Sequence, residues 1–175
     1  FATPDSGGKG RFLGGPADWL KGDQERVDGL GMDFIVENAG TAGALWAALE
    51  AASANQEPIV LFNWMPNFVD AVYDGKFIEF PTFEQPCKTD ASWGINPNTT
   101  HDCGNPAAGY LKTGVNVEFP NKWPNAYKAM QQMNFTSPDL NNLAAYMDID
   151  GMEPEDAAEK WLADNEDRWT AWIAG

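Results

Sequence analysis

Two tryptophans, Trp19 and Trp64, are the residues whose placement most suggests chemistry, and that chemistry is the binding of a cation. Trp19 follows the Gly-Pro turn in "GGPADW", and Trp64 ends the apolar run "IVLFNW" just before Met65-Pro66. Neither falls on a helical stripe. An indole face attracts a cation by about 0.5–2 kcal/mol, depending on solvation. Two such rings at adjoining loop mouths predict a cage for a positively charged ligand, and packing is the alternative role of each ring.

The other six of the eight tryptophans fit structural roles. Four fall on predicted helices, where apolar residues at helical spacing face a core, and two lie in loops, where a large ring anchors the backbone. The helical ones are Trp46, Trp161, Trp169 and Trp172, and the loop ones are Trp93 and Trp123.

Patterns for catalysis or metal binding are weak. His101 is the single histidine, and no serine or cysteine lies in a nucleophile-elbow sequence. The glycine-rich "GGKGRFLGG" fails the GxxxxGK[ST] pattern of a phosphate-binding loop, and "DIDGMEPED" fails the spacing of an EF-hand calcium loop. We therefore expect a binding protein without enzyme activity, metal or cofactor.

Cys87 and Cys103 flank a segment rich in Asn, Thr, Asp, Gly and Pro. This composition predicts a long surface loop, and such loops are usually tethered or functional. A disulfide closing the loop would contribute about 3 kcal/mol in the chain-entropy model and would imply an oxidising compartment. Two free thiols or a metal site are the alternatives, although one histidine and the lack of a CxxC pair argue against zinc.

Composition limits the class of partner. The 175 residues are 43% hydrophobic and carry a formal net charge of −15, from 26 acidic and 11 basic residues. This length allows one medium domain or two small lobes. The charge disfavours nucleic acid, which needs clustered Lys and Arg, and favours cationic ligands through the summed field. No run of 18 apolar residues occurs, so no segment is predicted to span a membrane.

The first part of the chain reads as α/β. "GRFLGG" and the alternating "MDFIVENAG" are predicted strands, and Thr41 is the predicted N-cap of the helix "TAGALWAALEAASANQ", which Pro58 stops. "IVLFNW" is the next strand, which completes a βαβ unit with parallel strands. Ligands usually bind at the carboxyl ends of such strands, where Trp64 lies.

The later part is predicted to be mainly helical. A short helix begins at Pro66, and 75–81 and 110–120 are predicted strands. Three helices follow, from near Pro124 to Met133, from an N-cap at Ser137, and as one helix over 153–173.

The sequence resembles the substrate-binding proteins of bacterial ABC importers for quaternary amines over essentially all of its length. The resemblance rests on "GKGRFLGGPADW", the βαβ unit, "PIVLFNWMPNF" and "AAEKWLADNEDRWTAWI", of which the W-x-P after a buried strand and the Gly-Pro-x-x-Trp turn are the most specific. The family takes up glycine betaine, proline betaine, choline and trimethylamine N-oxide. The resemblance implies an α/β, periplasmic-binding-protein-like fold of type II with two lobes and a hinge, a periplasmic or other extracytoplasmic location, and an ABC permease as partner.

The resemblance also implies site residues. Trp19 and Trp64 match box positions of the second lobe, where tryptophans surround a trimethylammonium head. In betaine-binding members, backbone amides next to the first tryptophan meet the ligand carboxylate, which points to Leu20 and Lys21. Close relatives have cysteines flanking that tryptophan, whereas this chain has Gly15 and Lys21 near there.

Complete members of the family are considerably longer than this chain, which resembles their later part. Residues 1–106 would form most of the second lobe, and residues 107–175 would return across the hinge to complete the first lobe. Most of the first lobe, and with it half of the pocket, would belong to an N-terminal segment of the same protein that is missing here. We therefore expect the chain alone not to bind tightly.

Two other functions compete with this one. An extracellular carbohydrate-binding module could stack sugars on exposed tryptophans, but such modules are mainly β, against the βαβ pattern. A hydrolase would depend on His101 without an evident partner.

Overall fold

The computed structural model describes residues 1–19, 21–106 and 112–174, and these form two compact units. The first unit comprises Phe1–Phe62 and Phe77–Gly109, and the second comprises Asn63–Lys76 and Tyr110–Gly175. The expected division into lobes at 106 and 107 stays a prediction.

The first unit is built on three parallel strands, β1 (Gly10–Gly14), β2 (Phe34–Asn38) and β3 (Val60–Leu61). Their order in the sheet is β2-β1-β3. In the register, Gly10 faces Phe34, Gly14 faces Asn38, and Leu13 faces Leu61. The strands predicted from "GRFLGG", "MDFIVENAG" and "IVLFNW" are confirmed, although β3 is short and β1 lies between β2 and β3. The elements are β1 (Gly10–Gly14), α1 (Asp23–Gly29), β2 (Phe34–Asn38), α2 (Ala42–Asn55) and β3 (Val60–Leu61).

Helix α2 packs its apolar face onto this sheet. The Thr41 hydroxyl accepts a hydrogen bond from the Ala44 N–H at 3.1 Å, which confirms the predicted N-cap. Gln56 ends the helix in a left-handed conformation. Leu45 forms the centre of the core with Leu13 and Ala39. The partly buried residues packed against this core are Trp19, Trp46, Ala48, Leu61 and Phe62, so the structural role of Trp46 is confirmed.

A disulfide between Cys87 and Cys103 closes the predicted loop, with the two Cα atoms 6.4 Å apart. Both cysteines are fully buried. The strand predicted over 75–81 is wrong, because that segment has no regular structure and leaves Phe77 and Ile78 about half exposed. Alternation alone cannot make a strand without a neighbouring edge to pair with.

Over its described residues, the regular elements of the second unit are all helices. Helix α3 (Val69–Val72) packs on α6 (Ser137–Asp148), α5 (Pro124–Gln132) packs on α8 (Glu166–Ala174), and α6 packs on α7 (Pro154–Asp164). None of the described helices has the length and apolar character needed to cross a bilayer. The helices are α3 (Val69–Val72), α4 (Phe119–Lys122), α5 (Pro124–Gln132), α6 (Ser137–Asp148), α7 (Pro154–Asp164) and α8 (Glu166–Ala174).

Two predictions for the second unit are wrong in detail. Residues 112–118 of the predicted strand 110–120 are not extended into a strand, and α4 begins at Phe119. The N-cap of α6 is Thr136 and not Ser137, because the Thr136 N–H donates to the Asp139 carboxylate at 2.7 Å and the Thr136 hydroxyl accepts from the Asp139 N–H at 3.4 Å.

The single helix predicted over 153–173 is broken at Asn165. This residue leaves the helical region at φ −130° and ψ 35°, and its side-chain amide donates to the Trp161 carbonyl at 2.9 Å. The break lets α8 fold back, so that the rings of Trp161 and Trp172 stack with centroids 5.7 Å apart. Phe135 packs against both rings, at 4.9 and 5.2 Å. The predicted packing role of these two tryptophans is therefore confirmed, through a turn that the periodicity did not predict.

Candidate functional site

The carboxyl edge of the three-stranded sheet is held together by hydrogen bonds beyond the strands. The Ala39 N–H donates to the Gly14 carbonyl at 3.0 Å, and the Phe62 N–H donates to the Leu13 carbonyl at 2.8 Å. The side-chain amide of Asn38 donates to the Gly15 carbonyl at 2.8 Å. These bonds fix the ends of β1, β2 and β3 relative to one another, and this edge is where ligands of open α/β sheets usually bind.

Trp19 lies at this edge, half-buried, at the end of a short 3-10 helix (Ala17–Trp19). The backbone N–H of Trp19 donates to the Pro16 carbonyl at 2.9 Å, so the Gly-Pro turn fixes the backbone of this residue. The indole packs against the core and meets Phe62 edge-on, with centroids 6.0 Å apart and planes at 70°. These contacts hold the Trp19 indole at the carboxyl edge of the sheet.

Lys21 is exposed near the same edge, and its ammonium lies 5.3 Å from the centroid of the Phe62 ring. Leu20, the other residue implicated by the resemblance, lies outside the described residues. Phe62 thus contacts both Trp19 and Lys21, and sequence reasoning assigned it no role. Its position as the first residue after β3 is the signal that could have identified it.

A cavity of about 150 Å³ opens beside these residues. It lies between the Gly15 turn, the end of β2 at Asn38 and the beginning of α1, with Lys21 and Glu25 among its lining residues. Small-molecule pockets commonly measure about 300–1,000 Å³. The cavity is therefore smaller than a usual ligand pocket.

The polar group buried beside this cavity is Asp23, which is 7% exposed. Burial raises the pKa of the Asp23 carboxyl, and the positive charge of Arg26 opposes the rise. The Arg26 Nη1 donates to Asp23 at 3.1 Å, its Nε donates to the Cys103 carbonyl at 2.8 Å, and its Nη2 donates to Asn105 at 3.0 Å. Arg26 thereby fastens α1, which lines the cavity, to the disulfide loop.

His101 belongs to this same loop. The backbone N–H of His101 donates to the Cys87 carbonyl at 2.8 Å, and the imidazole Nδ1 lies 2.9 Å from the Thr100 hydroxyl oxygen. A Cβ placed on Gly22 would lie 3.1 Å from the imidazole, so the ring packs against the beginning of α1. These contacts give His101 a structural role in holding the loop to α1.

Trp64 belongs to the second unit and is 38% exposed. The peptide bond between Met65 and Pro66, which follow Trp64, is cis. The backbone N–H of the next residue, Asn67, donates to the side-chain oxygen of Asn141 in α6 at 2.8 Å. The Asn67 side-chain amide donates to Asn63 at 3.2 Å. The backbone that follows Trp64 is thus fastened to α6. Trp19 and Trp64 lie in different units, and their meeting at one cleft stays a prediction.

An arginine organises the other end of the second unit. Arg168 donates to both carboxylate oxygens of Asp139, at 2.7 and 3.0 Å, and to the Asn134 carbonyl at 3.0 Å. These hydrogen bonds hold the pKa of the Asp139 carboxyl well below its usual value. The guanidinium also lies over the Trp161 and Trp172 rings, 5.3 and 5.9 Å from their centroids. The pair of Arg168 and Asp139 joins α8 to α6. An open cavity of about 500 Å³ lies next to Arg168.

Sequence comparison finds relatives of this chain among transport proteins. The profile of a family described as the substrate-binding domain of ABC-type glycine betaine transport systems matches residues 1–164. The trimethylamine N-oxide-binding protein of Pelagibacter ubique (strain HTCC1062) is 44% identical over 174 residues, which are 97% of this chain and 52% of that protein. The glycine betaine/carnitine transport binding protein GbuC of Listeria monocytogenes serotype 1/2a (strain 10403S) is 26% identical over 143 residues, 82% of this chain and 40% of that protein.

Solved structures show the same fold. Lactococcal OpuAC in its closed, glycine betaine-bound form matches with a TM-score of 0.55 at 20% identity, over 93% of this chain and 57% of that one. An ABC-transporter choline-binding protein in complex with choline matches with a TM-score of 0.50 at 19% identity, over 94% and 53%. The predicted α/β, periplasmic-binding-protein-like fold is therefore confirmed. The chain spans about half the length of these structures and at most about half that of the curated relatives it matches.

Proposed function

The chain belongs to the family of substrate-binding domains of ABC-type glycine betaine transport systems, and we propose that it forms part of an extracytoplasmic solute receptor for a quaternary amine or N-oxide osmolyte. The receptor delivers glycine betaine, choline or trimethylamine N-oxide to an ABC permease. The observation that carries this proposal is the 44% identity, over nearly the whole chain, with a protein named for binding trimethylamine N-oxide. That relative makes the N-oxide the first ligand to test.

The proposed binding surface is a tryptophan cage that includes Trp19 and Trp64. A fully methylated nitrogen has no N–H to donate, so hydrogen bonding cannot select it, whereas its diffuse positive charge and methyl surface suit aromatic faces. Trp19 supports this role because it is fixed by a turn and by Phe62 at the carboxyl edge of the sheet. Trp64 supports it because the residue is 38% exposed on a backbone fastened to α6.

The polar end of the ligand is proposed to lie near Leu20 and Lys21. In trimethylamine N-oxide the anionic oxygen is bonded to the methylated nitrogen, and in glycine betaine a carboxylate is joined to that nitrogen through one methylene group. The exposed Lys21 ammonium adjoins the cavity at the sheet edge and can attract that oxygen. Backbone N–H groups next to Trp19 are the natural donors to it.

The remaining walls of the site are proposed to come from an N-terminal segment of the same protein. The second unit buries few large apolar side chains and exposes many, such as Val117 at 83% and Ile173 at 65%. Exposed apolar surface of this extent usually marks an interface. Since the chain spans only about half of its relatives, a segment that contributes a sheet to the first lobe is the occupant that fits. Trp161 and Trp172 do not belong to this exposed surface, because they are buried against each other.

Isothermal titration calorimetry of the full-length protein tests the function. We expect saturable heat with trimethylamine N-oxide or glycine betaine and none with maltose. Heat with maltose and none with any of the three methylated amines would support the carbohydrate-binding alternative, which the α/β fold does not favour.

A further inference from the structure

Gly15 leaves no room for a side chain beneath the Trp19 indole. A Cβ placed on Gly15 would lie 2.7 Å from Cε3 and 3.1 Å from Cζ3 of Trp19, and 3.5 Å from the Phe62 ring. Carbon atoms that are not bonded normally stay about 3.5–4.0 Å apart. The six-membered ring of Trp19 therefore rests on the backbone of Gly15, and any larger residue would displace it.

Trp19 cannot yield to such a residue without changing its orientation. Its backbone is held by the hydrogen bond to the Pro16 carbonyl, and its ring is confined by Phe62 and by the core around Leu13. The contact with Gly15 is near the base of the indole, so a small rotation of a flexible tip would not relieve the overlap. The whole ring plane would have to tilt.

The surface on which Trp19 rests is itself fixed by Asn38. The Asn38 amide donates to the Gly15 carbonyl at 2.8 Å, and it comes from the last residue of the neighbouring strand β2. The close approach of Gly15 to Trp19 is thereby coupled to the sheet. Removal of this amide would allow the Gly15 turn to move.

We propose that Gly15 and Asn38 are positioning residues that set the plane of the Trp19 indole for contact with the ligand's methylated nitrogen. This inference rests on the proposed function, because it assumes that Trp19 touches the ligand. The attraction between a cation and a ring depends on the cation lying over the ring face within about 6 Å of its centroid. A tilt of the ring therefore weakens binding even where the fold is intact.

The test is a double-mutant cycle in the full-length protein, read by calorimetry with trimethylamine N-oxide and glycine betaine. We expect Gly15→Ala to weaken the affinity about 3- to 30-fold, the range of one cation–ring contact. In a Trp19→Phe background, where the smaller ring leaves space for the added methyl group, the same change should cost less than about twofold. Gly40→Ala is the matched control, since a Cβ there meets nothing within 4 Å.

Asn38→Ala provides an independent route to the same answer if Gly15→Ala fails to fold. It should weaken binding in the wild-type background and have little effect in the Trp19→Phe background. Equal losses in both backgrounds, for either variant, would overturn the positioning role. Unchanged affinity in Trp19→Ala would instead contradict the ligand contact at Trp19, so the two failures are distinguishable.

Discussion

The guanidinium of Arg26 joins three parts of the first unit at a single buried point. It neutralises Asp23 beside the cavity and hydrogen-bonds the Cys103 carbonyl and the Asn105 side chain. The Cζ atom of Arg26 also lies 5.2 Å from the centroid of the Phe80 ring. No simple sequence pattern predicts the link from Arg26 to the disulfide loop, because Cys103 and Asn105 lie more than seventy positions away in the chain.

Replacement of Arg26 by Met should destabilise the protein strongly. It leaves the Asp23 carboxylate buried without its counter-charge, which costs about 3–5 kcal/mol for a broken buried pair. The pKa of Asp23 is already raised by burial and would rise further without Arg26. A carboxyl whose pKa is higher in the folded state stabilises the fold at low pH and less as pH increases, so the deficit should be larger at pH 7 than at pH 4.

Urea unfolding of the full-length protein at both pH values measures this effect. Arg11→Met is the control, because Arg11 pairs with Glu37 at 3.6 Å on an exposed part of the sheet and should cost at most about 1 kcal/mol. Equal unfolding midpoints for the two variants would contradict the role given to Arg26.

Asp139 has the opposite pH dependence. Hydrogen bonds from Arg168, the largest contribution, and from Thr136 lower its pKa in the folded state. The stabilisation from Asp139 is therefore complete above the ordinary carboxyl pKa of about 3.9 and is lost as pH falls below it. Asp139→Asn should lower the urea midpoint at pH 6, and the difference from wild type should shrink between pH 4 and pH 2.5.

Asp164→Asn is the matched control for this measurement. Asp164 pairs with Lys160 on an exposed helix surface at 3.2 Å, and such pairs contribute little. A pH-independent deficit in Asp139→Asn would show that the loss is one of packing and not of charge.

Some residue roles could be predicted from the sequence and others could not. The two cysteines and the Thr41 cap follow from local composition and spacing, and both are confirmed. Asn38 and Gly15 act through contacts between different strands, which become visible only once the register of the sheet is known.

The disulfide loop and α1 act as one element. The loop between Cys87 and Cys103 wraps the end of α1, where a Cβ on Gly29 would lie 3.1 Å from the Thr100 carbonyl. Arg26 hydrogen-bonds the loop at the Cys103 carbonyl, and the His101 ring packs against Gly22 at the beginning of α1. Because α1 also lines the cavity, the loop supports that wall of the candidate site.

Removal of the disulfide should therefore destabilise the first unit and weaken ligand binding in parallel. A loop of this length contributes about 3 kcal/mol in the chain-entropy model. We expect Cys87→Ser with Cys103→Ser to lower the urea midpoint and to abolish its sensitivity to dithiothreitol. An identical midpoint for the oxidised, reduced and doubly substituted proteins would contradict a stabilising role.

Element boundaries show where periodicity reaches its limit. The apolar spacing predicted one helix over 153–173. Asn165 instead ends α7, because its side-chain amide donates to the Trp161 carbonyl in the last turn, and the predicted helix is divided into α7 and α8. The strands predicted at 75–81 and 110–120 rested on alternation, and alternation does not reveal whether a partner strand is available. The βαβ elements were predictable because strand, cap and helix signals agreed there.

At the scale of the whole molecule, the fold is that of the family, and the chain spans about half the length of the relatives it matches. The described part of the second unit is helical and exposes apolar side chains, among them Trp123, Ile149 and Leu162. A lobe of an α/β protein needs a sheet to cover such surface. The proposed N-terminal segment supplies it.

Residues 1–175 expressed alone should therefore bind a dye for apolar surfaces, such as anilinonaphthalene sulfonate, and bind methylated amines weakly. The full-length protein should bind the dye poorly and the ligand well. Tight ligand binding by the isolated chain would contradict the need for a companion segment.

The affinity of full-length variants for trimethylamine N-oxide and glycine betaine, measured by calorimetry, tests the central proposal most directly. Trp19→Ala and Trp64→Ala should each weaken binding about 3- to 30-fold. Trp123→Ala, which removes an exposed ring whose centroid lies 5.4 Å from that of Phe119, should leave the affinity unchanged. Wild-type affinity in both of the first two variants would contradict an indole cage around the methylated nitrogen.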